Sequence, residues 1–344
     1  MSAADHAVKR DRVLAVLDDA GLDEVWLTSP AALGWYLEGA RTHTSLAGPP
    51  VAAVRVDRAT DTVRVYSNEL TRLVAEELPD GIACESVDWH GSLVPAGVTT
   101  EDSLDLQLRA ARAVLLPTEL ERYTELCRVA ASILTDVLLG VRPEDTEREV
   151  AARLAAAVSA VGADPLVTMV AGSSRLAHRH PLPTTAVIGD RAMVVLCARR
   201  HGLIANVTRW VRFGQAPAEE RRRQSALLAV EADILRATVP GAALSGILEV
   251  AAAAYPRHGF DSDEWQRHHQ GGAAGYAGRD PRATPSVLDL VQPGQAFAWN
   301  PTAPAAKVED TVLVGTTGIV VLTADDRWPT IDIDGLLRPE ELIL

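Results

Sequence analysis

The stretch His178–Arg209, HRHPLPTTAVIGDRAMVVLCARRHGLIANVTR, decides how this chain is read. An apolar run from Ala192 to Cys197 follows the turn signal Gly189-Asp190, and a second run begins at Leu203 after a short polar connection. Glycine supplies backbone angles that other residues resist, and aspartate closes turns through its own carboxylate. Two such runs joined by a polar link form a hairpin. His178 and His180 lie at its mouth. Imidazole titrates near neutrality, so histidines in that place suit proton transfer.

The composition bounds the possibilities. A chain of 344 residues that is 47% hydrophobic buries sizeable cores and has room for two domains. A net charge of −13 disfavours nucleic acid and anionic membrane as partners, which leaves a small molecule as the expected ligand. No basic leader with an apolar stretch opens the chain and no run of 18 apolar residues occurs, so a cytoplasmic protein is expected. Cys84, Cys127 and Cys197 are too few and too scattered for a disulfide framework or a paired-cysteine metal site.

Upstream of the hairpin, the first hundred residues alternate helix and strand. A helix over Arg10–Ala20 stops at Gly21. Strands are expected at Glu24–Thr28, Val51–Val56, Thr62–Ser67 and Ile82–Trp89, with a helix over Asn68–Leu78 capped by Asn68. After a Gly, Ser and Pro-rich lapse, Thr118 and Glu121 have capping-box spacing before a helix that ends at Gly140. Thr146 and Glu149 repeat the device before a helix to Gly162. Downstream, a helix is expected over about Ala218–Thr238, then a break at Pro240-Gly241, a further helix to Tyr255 and a glycine-rich extended remainder. This order predicts an α+β fold, with helices covering one face of a curved antiparallel sheet.

The same order of parts resembles the creatinase, prolidase and Xaa-Pro aminopeptidase family, which has the pita-bread fold. Five motifs carry the resemblance in sequence: Gly189-Asp190; Asn206-Val207-Thr208-Arg209; His268-His269-Gln270-Gly271-Gly272; Pro293-Gly294 with Asn300-Pro301; and Glu309-Asp310-Thr311. It implies a creatinase-like N-terminal domain over residues 1–112, a pita-bread catalytic domain over residues 113–344, and a homodimer. It also places two divalent ions on two Asp, one His and two Glu. Carried over, those positions are Val195, Asn206, His268 or His269, Asn300 and Glu309, so this is a divergent member with most ligands replaced. Valine offers no ligand atom and asparagine only a neutral carbonyl, so a dinuclear site is not expected, and no metal or other cofactor is assigned.

Creatinase is the family's precedent for chemistry without metal. His178 stands at the creatinase spacing before Asp190, and Gly275–Asp280 is similar to its H-Y-Y-G-R-E stretch, although Thr208 replaces a guanidinium-holding glutamate. The expected catalytic groups are therefore His178, His269 and Glu309. His180, His268, Asn206, Asn300, Tyr276 and Arg279 are expected to bind substrate, the last through its planar cation. The amides of Gly271, Gly272 and Gly275 are candidate oxyanion donors. The expected function is metal-independent hydrolysis or rearrangement of a C–N bond in a small carboxylate-bearing substrate. The alternatives are a metallopeptidase with an unusual ion site and a noncatalytic binding module.

Overall fold

The structure, a computed structural model, describes residues 3–316 and 318–344. They fall into two compact units, residues 1–117 with 200–203 and residues 118–199 with 204–344.

In the first unit a four-stranded sheet runs in the order β1 (Glu24–Leu27), β2 (Ala52–Asp57), β3 (Asp61–Tyr66) and β4 (Ala83–Val87), with only β3 and β4 parallel. Helix α1 (Ala3–Ala20) stops at Gly21, whose φ of 65° lets Leu22 N–H reach back to Leu17 O. Helix α2 (Pro30–Tyr36) has no amphipathic stripe to read, because Ala32–Tyr36 are all buried. Its signal is local: Ser29 Oγ accepts from Ala32 N–H and proline opens the first turn. The expected Asn68 cap is not formed. A turn from Glu69 N–H to Tyr66 O delays α3 to Leu70–Glu76, and Asn68 donates to the Glu69 side chain instead. Helix α4 spans Asp105–Ala113.

Helix α5 (Pro117–Leu139) also corrects the expected cap. It begins at Pro117, so Thr118 lies inside the first turn, and proline's fixed φ starts the helix where Thr118 and Glu121 were expected to cap it. The second capping box is present: Thr146 and Glu149 satisfy each other's backbone N–H at the start of α6 (Glu147–Ala160).

The second unit holds two four-stranded sheets among the described residues. One contains β5 (Asp164–Ala171), the central hairpin β6 (Arg191–Arg200) and β7 (Leu203–Arg212), and β16 (Leu342–Ile343), which pairs parallel to β7. The other is wholly antiparallel and runs β13 (Ile319–Val321), β12 (Asp310–Val314), β9 (Ala296–Trp299), β8 (Gly271–Ala274). Thr208 N–H donates to Glu309 O, and Thr311 Oγ1 both accepts from Asn206 N–H and donates to Asn206 O, which joins the sheets. Helices α7 (Ala218–Ala237) and α8 (Leu244–Arg257) cover the second sheet, burying Leu227, Leu235, Ile247 and Tyr255 with Phe297, Trp299 and Val312. Short hairpins β10–β11 (Thr302–Ala303, Ala306–Lys307) and β14–β15 (Thr330–Ile333, Leu336–Pro339) complete it. Helices backing a curved, largely antiparallel sheet are the expected pita-bread architecture.

Candidate active site

The loop after β5 is tied down by one carboxylate. Glu147, the first residue of α6, is buried and accepts from Gly172 N–H at 2.9 Å and from Thr184 N–H and Oγ1 at 2.8 Å, while Arg175 pairs with it. Farther along, Arg179 pairs with the buried Glu264. These anchors hold His180 against the residues that follow Glu264: His180 Nε2 and His268 Nε2 are 2.9 Å apart, and the His268 and His269 rings stack with centroids 4.4 Å apart. Each of His180, His268 and His269 brings a ring nitrogen within 4.8 Å of the others. His178 is not part of this group. Its side chain is exposed and its backbone N–H donates to Arg175 O; among the described residues its ring makes no hydrogen bond. The chain bends at Arg179 and His180 rather than running extended, so the motif spacing that favoured His178 could not separate the two.

Burial drives the His268 pKa down to about 2 and the His269 pKa to about 3, with Lys307, and for His269 Arg279 and Arg282, adding repulsion. Burial also lowers His180. All three rings are therefore neutral at pH 7. The Nδ1 atoms of His268 and His269 are buried without a hydrogen bond among the described residues, and a buried ring nitrogen without a partner is an acceptor or donor awaiting one.

Beside the histidines lies a buried acid. Glu309 Oε1 accepts from Arg279 Nη2 at 2.6 Å, Oε2 accepts from Thr208 Oγ1 at 2.8 Å, and Lys307 Nζ is 3.7 Å from Oε2. Burial works to raise this carboxyl's pKa, but Lys307, Arg279 and the hydrogen bonds outweigh it and hold it at about 2. Arg279, expected to face a substrate carboxylate, is thus engaged by Glu309. Tyr276 is likewise engaged: its hydroxyl donates to Glu119 Oε1 at 2.5 Å. Asn206 lies on β7 with Nδ2 donating to Ile204 O at 3.2 Å, and Asn300 is buried with Oδ1 lacking a partner among the described residues. Gly271 and Gly272 admit the chain's own backbone: a Cβ there would lie 2.3 Å from Ala298 O or from Pro281 O, at φ of 113° and 151°.

The sequence reading missed Lys307. It is 3% exposed, on β11, and its backbone carbonyl accepts from Trp210 Nε1 at 2.7 Å. Two positions before Glu309 on an extended segment, it shares that residue's face, which is the signal that would have found it.

The family's two ions do not fit these residues. Val195 is 4% exposed and packs with Ala171, Met193 and Trp210. Both Glu309 oxygens are engaged by groups of the chain, two of them cations. The three imidazoles could geometrically hold a single borderline ion such as zinc, but the charges that act on them are Lys307, Arg279 and Arg282 against Glu309 alone.

A pH dependence follows. An unfolded histidine titrates near 6.5, whereas folded His268 and His269 resist protonation down to about 2 and about 3. Below pH ~6.5 the unfolded chain binds more protons than the native one, so stability falls with acidification at about 1.4 kcal/mol per pH unit for each ring. Urea unfolding between pH 7 and 4.5 should show that slope, and the double variant His268→Asn/His269→Asn should flatten it. An equally steep double variant would remove these rings as the cause.

Residues 121–316, more than half of the chain, match metallopeptidase family M24, and the chain belongs to that family. No curated protein matches it. Among solved structures it is similar to the dipeptidase PepE from Mycobacterium ulcerans, with 18% identity, all of both chains covered and a TM-score of 0.79. The prolidase from Pyrococcus horikoshii OT3 is similar at 19% identity over 93% of this chain and 99% of that one, with a TM-score of 0.76. The N-terminal domain of FACT complex subunit SPT16 from chickpea, at 10% identity over 93% and 97%, has a TM-score of 0.67. At these identities the likeness is one of fold. Among the described residues no helix is long and apolar enough to cross a membrane.

Proposed function

We propose that this member of the family is a hydrolase that works without the paired divalent ions, cleaving or rearranging a C–N bond in a small polar substrate that bears a carboxylate. The observation that carries the reading is the exchange of charge at Glu309, where Arg279 and Lys307 lie beside three neutral imidazoles and the ion-binding positions are Val195, Asn206 and Asn300. In this reading a neutral imidazole takes a proton from water as its oxygen adds to the substrate carbonyl, and returns that proton to the leaving nitrogen as the C–N bond breaks. His180, the most exposed of the three, exchanges the proton with solvent, and its contact with His268 links it to the buried pair. His269 is kept as the second proton-transfer or orienting group, Glu309 becomes the counter-ion that fixes Arg279, and His178, expected as the main acid/base, has no role in this reading. A homodimer belongs to the same reading and rests on the family resemblance, and a cytoplasmic location is kept as the sequence led us to expect.

The test is hydrolysis of a panel of small amides and dipeptides by chelator-treated protein. Turnover that persists in chelator supports the reading; turnover that appears only when divalent ions are restored overturns it. One observation favours a second reading: the convergence of three ring nitrogens suits a peptidase with a single ion. One ion per chain, lost in His180→Ala, would select it.

A further inference from the structure

Counting the buried charges around Glu309 leaves an imbalance. Lys307 and Glu309 have side chains 4% exposed and Arg279 one that is 9% exposed, and His180, His268 and His269 are neutral. Arg279 and Lys307 thus face one carboxylate, and burial, with Arg279 beside it, lowers the Lys307 pKa. Arg279 closes a hydrogen-bonded ion pair with Glu309 at 2.6 Å. Lys307 pairs with the same carboxylate more loosely: at 3.7 Å its Nζ is beyond a well-formed hydrogen bond to Glu309 Oε2. Cys197 offers no compensating charge, since burial pushes its thiol up to about 12. An ammonium this deeply buried, its pKa already lowered and its one anionic neighbour at 3.7 Å shared with Arg279, is unfavourable unless something completes it. Close by in the same site, His268 Nδ1 and His269 Nδ1 are without hydrogen-bond partners among the described residues.

We infer that Lys307 is the anchor of an anion site, built to receive one singly charged oxyanion group that accepts from Lys307 Nζ and from the neutral imidazoles. This gives the substrate carboxylate a place that Arg279, engaged by Glu309, does not offer, and so it rests on the functional reading above. Its chemistry is that of a carboxylate or a phosphate ester; the single excess charge matches the former. The hairpin β10–β11 is fixed for this purpose at several points. Thr302 Oγ1 donates to Ala306 O, Thr302 N–H donates to Tyr255 Oη, and Arg191 Nη1 donates to Ala305 O, so Lys307 is held by a rigid support rather than a mobile loop.

The probes are acetate and inorganic phosphate, added to the full chain at constant ionic strength against a chloride control. Melting temperature and calorimetric titration would be read for wild type, Lys307→Met and Lys307→Arg. Wild type should bind acetate, Lys307→Met should bind it roughly 10- to 100-fold more weakly, as for a lost charge-assisted hydrogen bond, and Lys307→Arg should retain part of the affinity. Without probe, Lys307→Met should melt no lower than wild type, because it removes an incompletely compensated charge. A stronger response to phosphate than to acetate, still lost in Lys307→Met, assigns the site to phosphate-bearing ligands. Equal binding by Lys307→Met and wild type, or no response of wild type to either probe beyond chloride, overturns the inference. Lys307-dependent binding in a protein that hydrolyses no amide would leave the anion site standing and remove the hydrolase reading. Amide turnover with unchanged KM in Lys307→Met would do the reverse.

Discussion

Arg338→Met is expected to remove about 3–5 kcal/mol of folding stability, the range for breaking a buried ion network by deleting one partner. Arg338 is 1% exposed; its guanidinium donates through Nε and Nη2 to Glu231 and through Nη2 to Asp310, each at 2.7 Å. Glu231 belongs to α7, Asp310 to β12 and Arg338 to β15, so one side chain ties helix, sheet and the C-terminal hairpin together. Deleting it strands Glu231, whose carboxyl burial already pushes upward in pKa despite Arg338. Asp310 keeps Arg209 at 2.8 Å and Thr323 at 2.7 Å. The loss therefore falls mainly on Glu231, and the double variant Glu231→Met/Arg338→Met should recover much of it by removing the stranded charge. Urea unfolding of both variants is the check. A single-variant loss below about 1 kcal/mol would mean that water or relaxation compensates the carboxylates.

His268→Asn is expected to lower kcat/KM by about 10² to 10⁴ on any amide substrate found, the usual worth of a positioned proton carrier. The side chain is 8% exposed and its ring contacts His180 and stacks on His269, so its loss breaks the group at its middle. Asparagine keeps much of the shape and some hydrogen bonding, so folding should survive. His178→Asn should stay within about twofold of wild type, since an exposed loop side chain contributes little. Rates measured for both variants across pH 5 to 9 separate the two histidines. An equal loss in His178→Asn would show that the loop carries His178 into the site during turnover.

Much of the architecture is legible in the residues, because it rests on local periodicity and punctuation. The hairpin from Arg191 to Arg212, the capping box at Thr146 and the Pro240-Gly241 break each depend on neighbours within a few positions. The site is less so. That His180 rather than His178 meets His268 depends on Arg179 reaching Glu264, a pairing across 85 positions. Arg279 and Tyr276 were legible as polar groups near the site, but their partners Glu309 and Glu119 were not, and those partners change their roles from ligand contacts to internal ones. Glu147, which ties down the His180 loop, has the appearance of an ordinary acidic residue in a helix's first turn. The crowding of charge at Lys307 emerges only when side chains from β11, from Glu309 just before β12 and from the loop after β8 are counted together.

In the proposed function this site holds its own cations, Arg279 and Lys307, in place of two divalent ions. Elemental analysis of the purified chain, with melting followed in chelator and in added manganese, cobalt and zinc, tests it most directly. A bound ion stabilises the native state by mass action, so its removal must lower the melting temperature. The expected result is less than about one ion per chain, no change in melting on chelation and none on adding ions. Two ions per chain, lost to chelator together with melting temperature, would contradict it.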